Sequence, residues 1–252
     1  MCVFVCVCVC MCVCVCVCVR CVVIVHCVKL GMGSSIRFSL NSFVLFVSPR
    51  YQPQGRGGGG GGVQFAVAIN VPADQCGDAF SQNFLSGENA DTVKKALKDN
   101  NLYKGEQLVA ATPKGSGQTN AVHSERALLM CEDSSDAVTP MKDLLNKNKG
   151  GCVVFYTYNS PCLKLCLNQA KDDEIRQGRD KKIEKKRPNI PPLAFVFSRV
   201  YDEDLGSATL AAALKVVAEK VPLYKCDAGS CFKCLSNGQI IDEYVCLCVE
   251  RK

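Results

Sequence analysis

Residues 152–166 read CVVFYTYNSPCLKLC, and the order of residue types within them decides the architecture. The first seven form an apolar, β-prone run. Ser160 then suits an N-cap and Pro161 a first helical position, so a strand is expected to give way to a helix over 161–169. Outward from there the same alternation recurs. Residues 193–201 (LAFVFSRVY) read as a strand, 207–220 (SATLAAALKVVAEK) as the clearest helix, and 221–225 as a last strand. Upstream, 63–71 (VQFAVAINV) and 107–112 (QLVAAT) read as strands. Helices are expected over 91–98, 121–131 and 140–147, with a turn at 100–101. Strands separated by helices of this length argue an α/β domain with a mixed or mostly parallel sheet. The helix before the last strand forces the final two strands parallel, because only a hairpin would leave them antiparallel.

The chain is two unlike pieces. Residues 1–62 hold ten of the 20 cysteines, five of the 30 basic residues and no Asp or Glu. They therefore carry most of the formal net charge of +6, and 63–252 is nearly neutral. A generally basic nucleic-acid binder is excluded for that part, and any such contact must come from a local patch. Residues 2–19 are almost pure Cys-Val alternation. The run is long enough to span a membrane, but it lacks the basic start and small-residue cleavage site of a signal peptide. A dinucleotide repeat read in frame explains it more simply than a membrane anchor does. If expressed, such a run makes an aggregation-prone strand.

Six glycines at 57–62 read as a linker and put the domain boundary at Val63. Residues 1–62 are thus expected to be a low-complexity leader and linker, disordered or not native, and 63–252 the folded domain. No stable membrane association is expected of 63–252. The chain contains no Asn-x-Ser/Thr sequon, which points to a cytoplasmic or nuclear setting. The cysteines beyond the linker then read as thiols or metal ligands before disulfides, with Cys76, Cys131 and Cys152 in the core.

Two short segments carry chemistry. His123-Ser124-Glu125 opens a helix, and Cys162 and Cys166 stand one helical turn apart at the start of another. A helix N-terminus favours the thiolate form of such cysteines. Two thiolates and the imidazole of His123 make three ligands for Zn2+, and the open fourth tetrahedral position is that of a catalytic zinc. Glu125, two residues from the imidazole, can take a proton from water and pass it to a substrate.

This H-x-E followed by P-C-x₃-C resembles the signature of the cytidine-deaminase-like superfamily of zinc-dependent nucleobase deaminases. The resemblance covers about 63–225. It implies a three-layer α/β/α fold around a five-stranded mixed sheet. It also implies His123, Cys162 and Cys166 as zinc ligands and Glu125 as proton shuttle. Asn120, Tyr158 and Asn159 fall where such proteins line the substrate pocket, and Tyr158 can stack on a base. The implied reaction is hydrolytic deamination of cytosine or adenine, and the implied partner is a nucleotide or nucleic-acid base. The x₃ spacing and the helical crossover are similar to the nucleic-acid-editing and toxin branch more than to free-nucleoside deaminases.

Two other readings stay open. One is a deaminase-fold zinc protein without catalysis that serves as a binding or assembly module. The other is a hydrolase with Cys162 as nucleophile and His123 as base. Cys226, Cys231, Cys234, Cys246 and Cys248 can hold a second, structural zinc, although their spacing favours buried thiols or redox-labile pairs. Residues 171–187 carry eight basic and five acidic groups. They read as a solvated helix face before a nucleic-acid contact.

Overall fold

The structure is a computed structural model, and it describes residues 5–9, 13–18, 21–26, 44, 46–53, 63–76, 81–115, 121–130, 138–147, 151–168, 194–227, 230–236 and 239–240. Asn120, Cys131, Cys246, Cys248, the glycine tract and the charged run 171–187 lie outside the described residues. The chain divides into two units, Met1–Ile36 and Arg37–Lys252. In the first, the Cys-Val alternation forms three antiparallel strands, β1 (Val5–Val9), β2 (Val13–Cys18) and β3 (Cys21–His26), as its β-branched residues favour.

The second unit is a mixed α/β fold. Its strands are β4 (Ala66–Val71), β5 (Tyr103–Lys104), β6 (Leu108–Ala111), β7 (Cys152–Asn159), β8 (Ala194–Arg199), β9 (Leu223–Asp227) and β10 (Ser230–Lys233). They form one sheet in the order β10-β9-β8-β7-β4-β6-β5. The sheet has seven strands where the sequence suggested five. The two extra strands, β5 and β10, are edge pieces. Each is short and lies within three residues of its partner along the chain, too close for a crossover, so each pairs antiparallel. Strand β10 thus adds an antiparallel edge, while the last two strands read from the sequence, β8 and β9, run parallel as expected. The parallel pairs are β7–β8 and β8–β9, and the second of these joins across the helical crossover. A further two-stranded ribbon pairs β11 (Leu235–Ser236) with β12 (Gln239–Ile240).

Among the described residues, four further α-helices accompany the sheet besides the helical residues 46–51. In α1 (Ala90–Lys98) Asn89 accepts from the Asp91 and Thr92 backbone N–H groups, and Asn100 at φ 55° ends it. Helix α2 (Ser124–Leu129) is only six residues long, shorter than the sequence suggested. Helix α3 (Pro140–Lys147) starts at a proline, with the Thr139 hydroxyl accepting from Lys142 N–H. Helix α4 (Leu210–Ala218) buries Leu214 and Val217 one turn apart. One core cluster joins α2, α3 and α4 to one sheet face through Ala66, Ala68, Val109, Phe155, Phe195 and Leu223. The alternate residues Val67, Ile69, Leu108, Tyr156 and Val196 are equally buried on the other face. There the Tyr156 hydroxyl meets Ser48, and Val47 and Tyr51 are fully buried, so residues ahead of the glycine tract contribute to this core. No helix among the described residues is long and apolar enough to cross a membrane.

The cysteines depart from the expectation of free thiols. Cys76 is bonded to Cys152, and Cys226 to Cys231. The sequence places each pair far apart or merely near. The strand register instead sets Cys226 directly opposite Cys231 and brings the loop after β4 to the start of β7. Among the residues whose side chains are described, Cys162 and Cys166 are free.

Candidate metal centre

The site forms where β7 ends and α2 begins. Pairing of Ala66 with Thr157 aligns the start of β4 with the end of β7, and α2 packs beside β4 and β6. His123 is the N-cap of α2, which leaves its ring clear of the helix. Residues 163–167 do not continue as the expected helix. They form a tight turn closed by Leu167 N–H donating to Cys162 O at 3.0 Å. Ser160 does not cap it, because its hydroxyl accepts from Tyr201 N–H at 3.0 Å. The cap comes from another segment: Asp204 Oδ2 accepts from Leu163 N–H at 2.9 Å.

This turn brings both sulfurs to one side. Cys162 Sγ and Cys166 Sγ are 3.7 Å apart, and His123 Nδ1 lies 3.7 Å from the first and 3.1 Å from the second. The sulfurs are far outside the roughly 2.05 Å of a disulfide. A tetrahedral zinc with Zn–S near ~2.3 Å and Zn–N near ~2.0 Å requires edges of about 3.8 Å between sulfurs and 3.5 Å from nitrogen to sulfur. The observed triangle is close to that, with one edge a few tenths short. Both cysteines are buried, so two thiolates there would be costly without a cation. Hydrogen bonding with Cys166, and then with His123, draws the Cys162 thiol down to about 4 against its burial. The hydrogen bond with Cys162, together with burial, pushes the Cys166 thiol well up. The donor set, two sulfurs and an imidazole, fits zinc.

Glu125 is 2% exposed, and burial pushes its carboxyl up. Its Oε1 accepts from Thr157 Oγ1 at 2.8 Å and from Gln64 Nε2 at 3.1 Å, and its Oε2 accepts from Ser124 Oγ at 3.1 Å. The structure therefore brings together His123, Glu125, Cys162 and Cys166. Tyr158 and Asn159 stand half-buried at the end of β7, next to the cysteine turn. The Arg199 guanidinium lies 6.0 Å from the Tyr158 ring centroid and pairs with Asp202. Sequence reasoning missed Gln64, Thr157 and Asp204. The one available signal was Thr157, a hydroxyl in the inward-facing series of β7 that continues Val153 and Phe155.

A family model described as Secreted Novel AID/APOBEC-like Deaminase 1 matches residues 40–249. No curated protein matches the chain, and no solved structure does. The description corrects the cytoplasmic or nuclear setting inferred from the sequence, since the family is a secreted one. A missing glycosylation sequon does not prevent export. Disulfides such as Cys76–Cys152 and Cys226–Cys231 are of the kind that persists in an oxidising compartment.

Proposed function

Since the chain belongs to the Secreted Novel AID/APOBEC-like Deaminase 1 family, we propose that it is a zinc-dependent hydrolase that deaminates a nucleobase. The family lies in the nucleic-acid-editing branch of the cytidine-deaminase-like superfamily. Cytosine or adenine within a nucleotide or nucleic acid is the substrate of this reading, and the three-layer α/β/α arrangement is its framework. The observation that carries it is the convergence of His123, Cys162 and Cys166 with the carboxylate of Glu125 two residues from the imidazole.

His123 Nδ1, Cys162 Sγ and Cys166 Sγ would hold the metal. Zinc bound there would make water a usable nucleophile near neutral pH. The net change replaces the amino group at C4 of cytosine or C6 of adenine by oxygen, consuming water and releasing ammonia. Glu125 moves the protons, receiving one at a carboxylate oxygen and delivering it to the departing amine. Burial favours the protonated carboxyl, which suits a group that must hold a proton between these events. Tyr158 and Asn159, with Asn120, line the base pocket in this reading, and the Tyr158 ring offers a stacking face.

The test uses the full chain. Zinc content is measured by mass spectrometry, and ammonia release is followed with cytidine, adenosine and single-stranded polynucleotides. About one zinc per chain and release from at least one substrate are expected, with Glu125→Gln losing turnover while keeping zinc and fold. Zinc without turnover on any substrate would replace catalysis by the binding-module reading. A metal-free protein would end the proposal.

A further inference from the structure

Gln64 stands just ahead of β4 and makes four hydrogen bonds with its carboxamide. Its Nε2 has two hydrogens for three acceptors, Thr157 Oγ1 at 2.9 Å, Ser124 Oγ at 3.1 Å and Glu125 Oε1 at 3.1 Å, so one hydrogen is shared. Its Oε1 accepts from the backbone N–H of Asn159 at 2.8 Å. The last bond fixes the orientation of the amide. A backbone N–H is only a donor, so the oxygen must face Asn159 and the nitrogen must face the carboxylate.

That orientation has a directional consequence. A hydroxyl that accepts from Gln64 keeps its own hydrogen for another acceptor, and for Thr157 and Ser124 that acceptor is Glu125. Thr157 Oγ1 donates to Oε1 at 2.8 Å, and Ser124 Oγ donates to Oε2 at 3.1 Å. One carboxamide thus aims two hydroxyls at the two oxygens of one buried carboxyl, and also reaches the carboxyl itself. The network ties Glu125, on α2, to the backbone at Asn159, three residues before Cys162. A buried carboxyl held at both oxygens has one orientation, which is what proton delivery at a fixed site requires.

We propose that Gln64 is the positioning residue for Glu125, acting through Thr157 and Ser124 and locking the carboxyl relative to the end of β7. The claim that this serves catalysis rests on the deaminase reading, but the claim of positioning has its own readout. In full-length protein labelled with ¹³C-carboxyl glutamate, the Glu125 resonance is assigned by its absence in Glu125→Gln. Gln64→Met keeps the side-chain length and removes all four bonds, and its Glu125 resonance is expected to shift and broaden. Zinc content should stay at the wild-type level. Turnover should show kcat lowered about 10- to 100-fold with KM within about twofold, as expected when a reacting group is misplaced and binding is spared. Thr157→Val should lose part of the same activity, Thr157→Ser should recover most of it, and the Gln64→Met and Thr157→Val effects should be less than additive.

An unshifted Glu125 resonance in folded, zinc-loaded Gln64→Met would overturn the proposal, and so would additive losses. Should Gln64→Met fail to fold, Thr157→Val carries the same resonance test. A wild type that deaminates nothing, in which the resonance still shifts, would sink the deaminase reading and leave the positioning role standing.

Discussion

Cys162 and Cys166 are free in a protein whose Cys76, Cys152, Cys226 and Cys231 are all bonded, although their sulfurs are only 3.7 Å apart. A shared cation is a partner that would keep two such neighbouring thiols from closing on each other. Cys162→Ser should therefore lose zinc to a chelator at least tenfold faster than wild type, a floor set by the about 10–100-fold affinity losses seen when mere supporting residues are removed. Unchanged retention, followed by a colorimetric zinc indicator, would show that the metal is held elsewhere. These residues were legible because the x₃ spacing of two cysteines and the H-x-E triplet carry their chemistry locally. Gln64 was not legible, and Thr157 was legible only as an inward-facing hydroxyl of β7, not as a partner of Glu125. Their role depends on the register that sets Ala66 opposite Thr157, and a glutamine ahead of an apolar run gives no hint of which strand will lie beside it.

At the scale of elements, the cysteine turn is held by its neighbour and not by its own cap. Leu163 N–H donates to Asp204, Tyr201 N–H donates to Ser160 Oγ, and Ser160 N–H donates to Arg199 O at 2.7 Å. Three bonds thus fasten residues 160–163 to the end of β8 and the loop behind it. Asp204→Ala removes the cap and should cost about 1 kcal/mol, the usual worth of such a side chain. Zinc loss to a chelator should also quicken, while Asp204→Asn, which keeps an accepting oxygen, should stay near wild type. Thermal unfolding and the same indicator measure both, and equal behaviour of the two variants would remove Asp204 from the support of the site. The Ser-Pro pair read as a helix start because local pattern cannot see Tyr201 competing for the Ser160 hydroxyl. The crossover helix α4 was legible for the opposite reason: its apolar spacing is local, and it dictates that β8 and β9 run parallel. The two-residue β5 and the short β10 left no such pattern, since edge strands borrow their order from the strands they join.

For the molecule as a whole, export and stability meet in the disulfides. Cys76–Cys152 closes a sequence separation of 76 residues and Cys226–Cys231 one of 5. On the chain-entropy account the longer loop removes more freedom from the unfolded state, worth about 4 kcal/mol against about 2 kcal/mol for the shorter. For a unit of this size that converts to a fall in Tm of roughly 10 °C for Cys76→Ser with Cys152→Ser, and roughly 5 °C for Cys226→Ser with Cys231→Ser. The order of the two shifts is the test, read by thermal scans of the full chain under non-reducing conditions. Position adds a second expectation. Cys152 begins β7 and Asn159 ends it, so at about 3.3 Å per residue the bond lies about 23 Å along the strand from the metal centre. The Cys76–Cys152 double variant should therefore keep its zinc at temperatures where it remains folded. Loss of zinc before unfolding would mean that β7 transmits the break to the cysteine turn, and that the strand and the site are one cooperative unit.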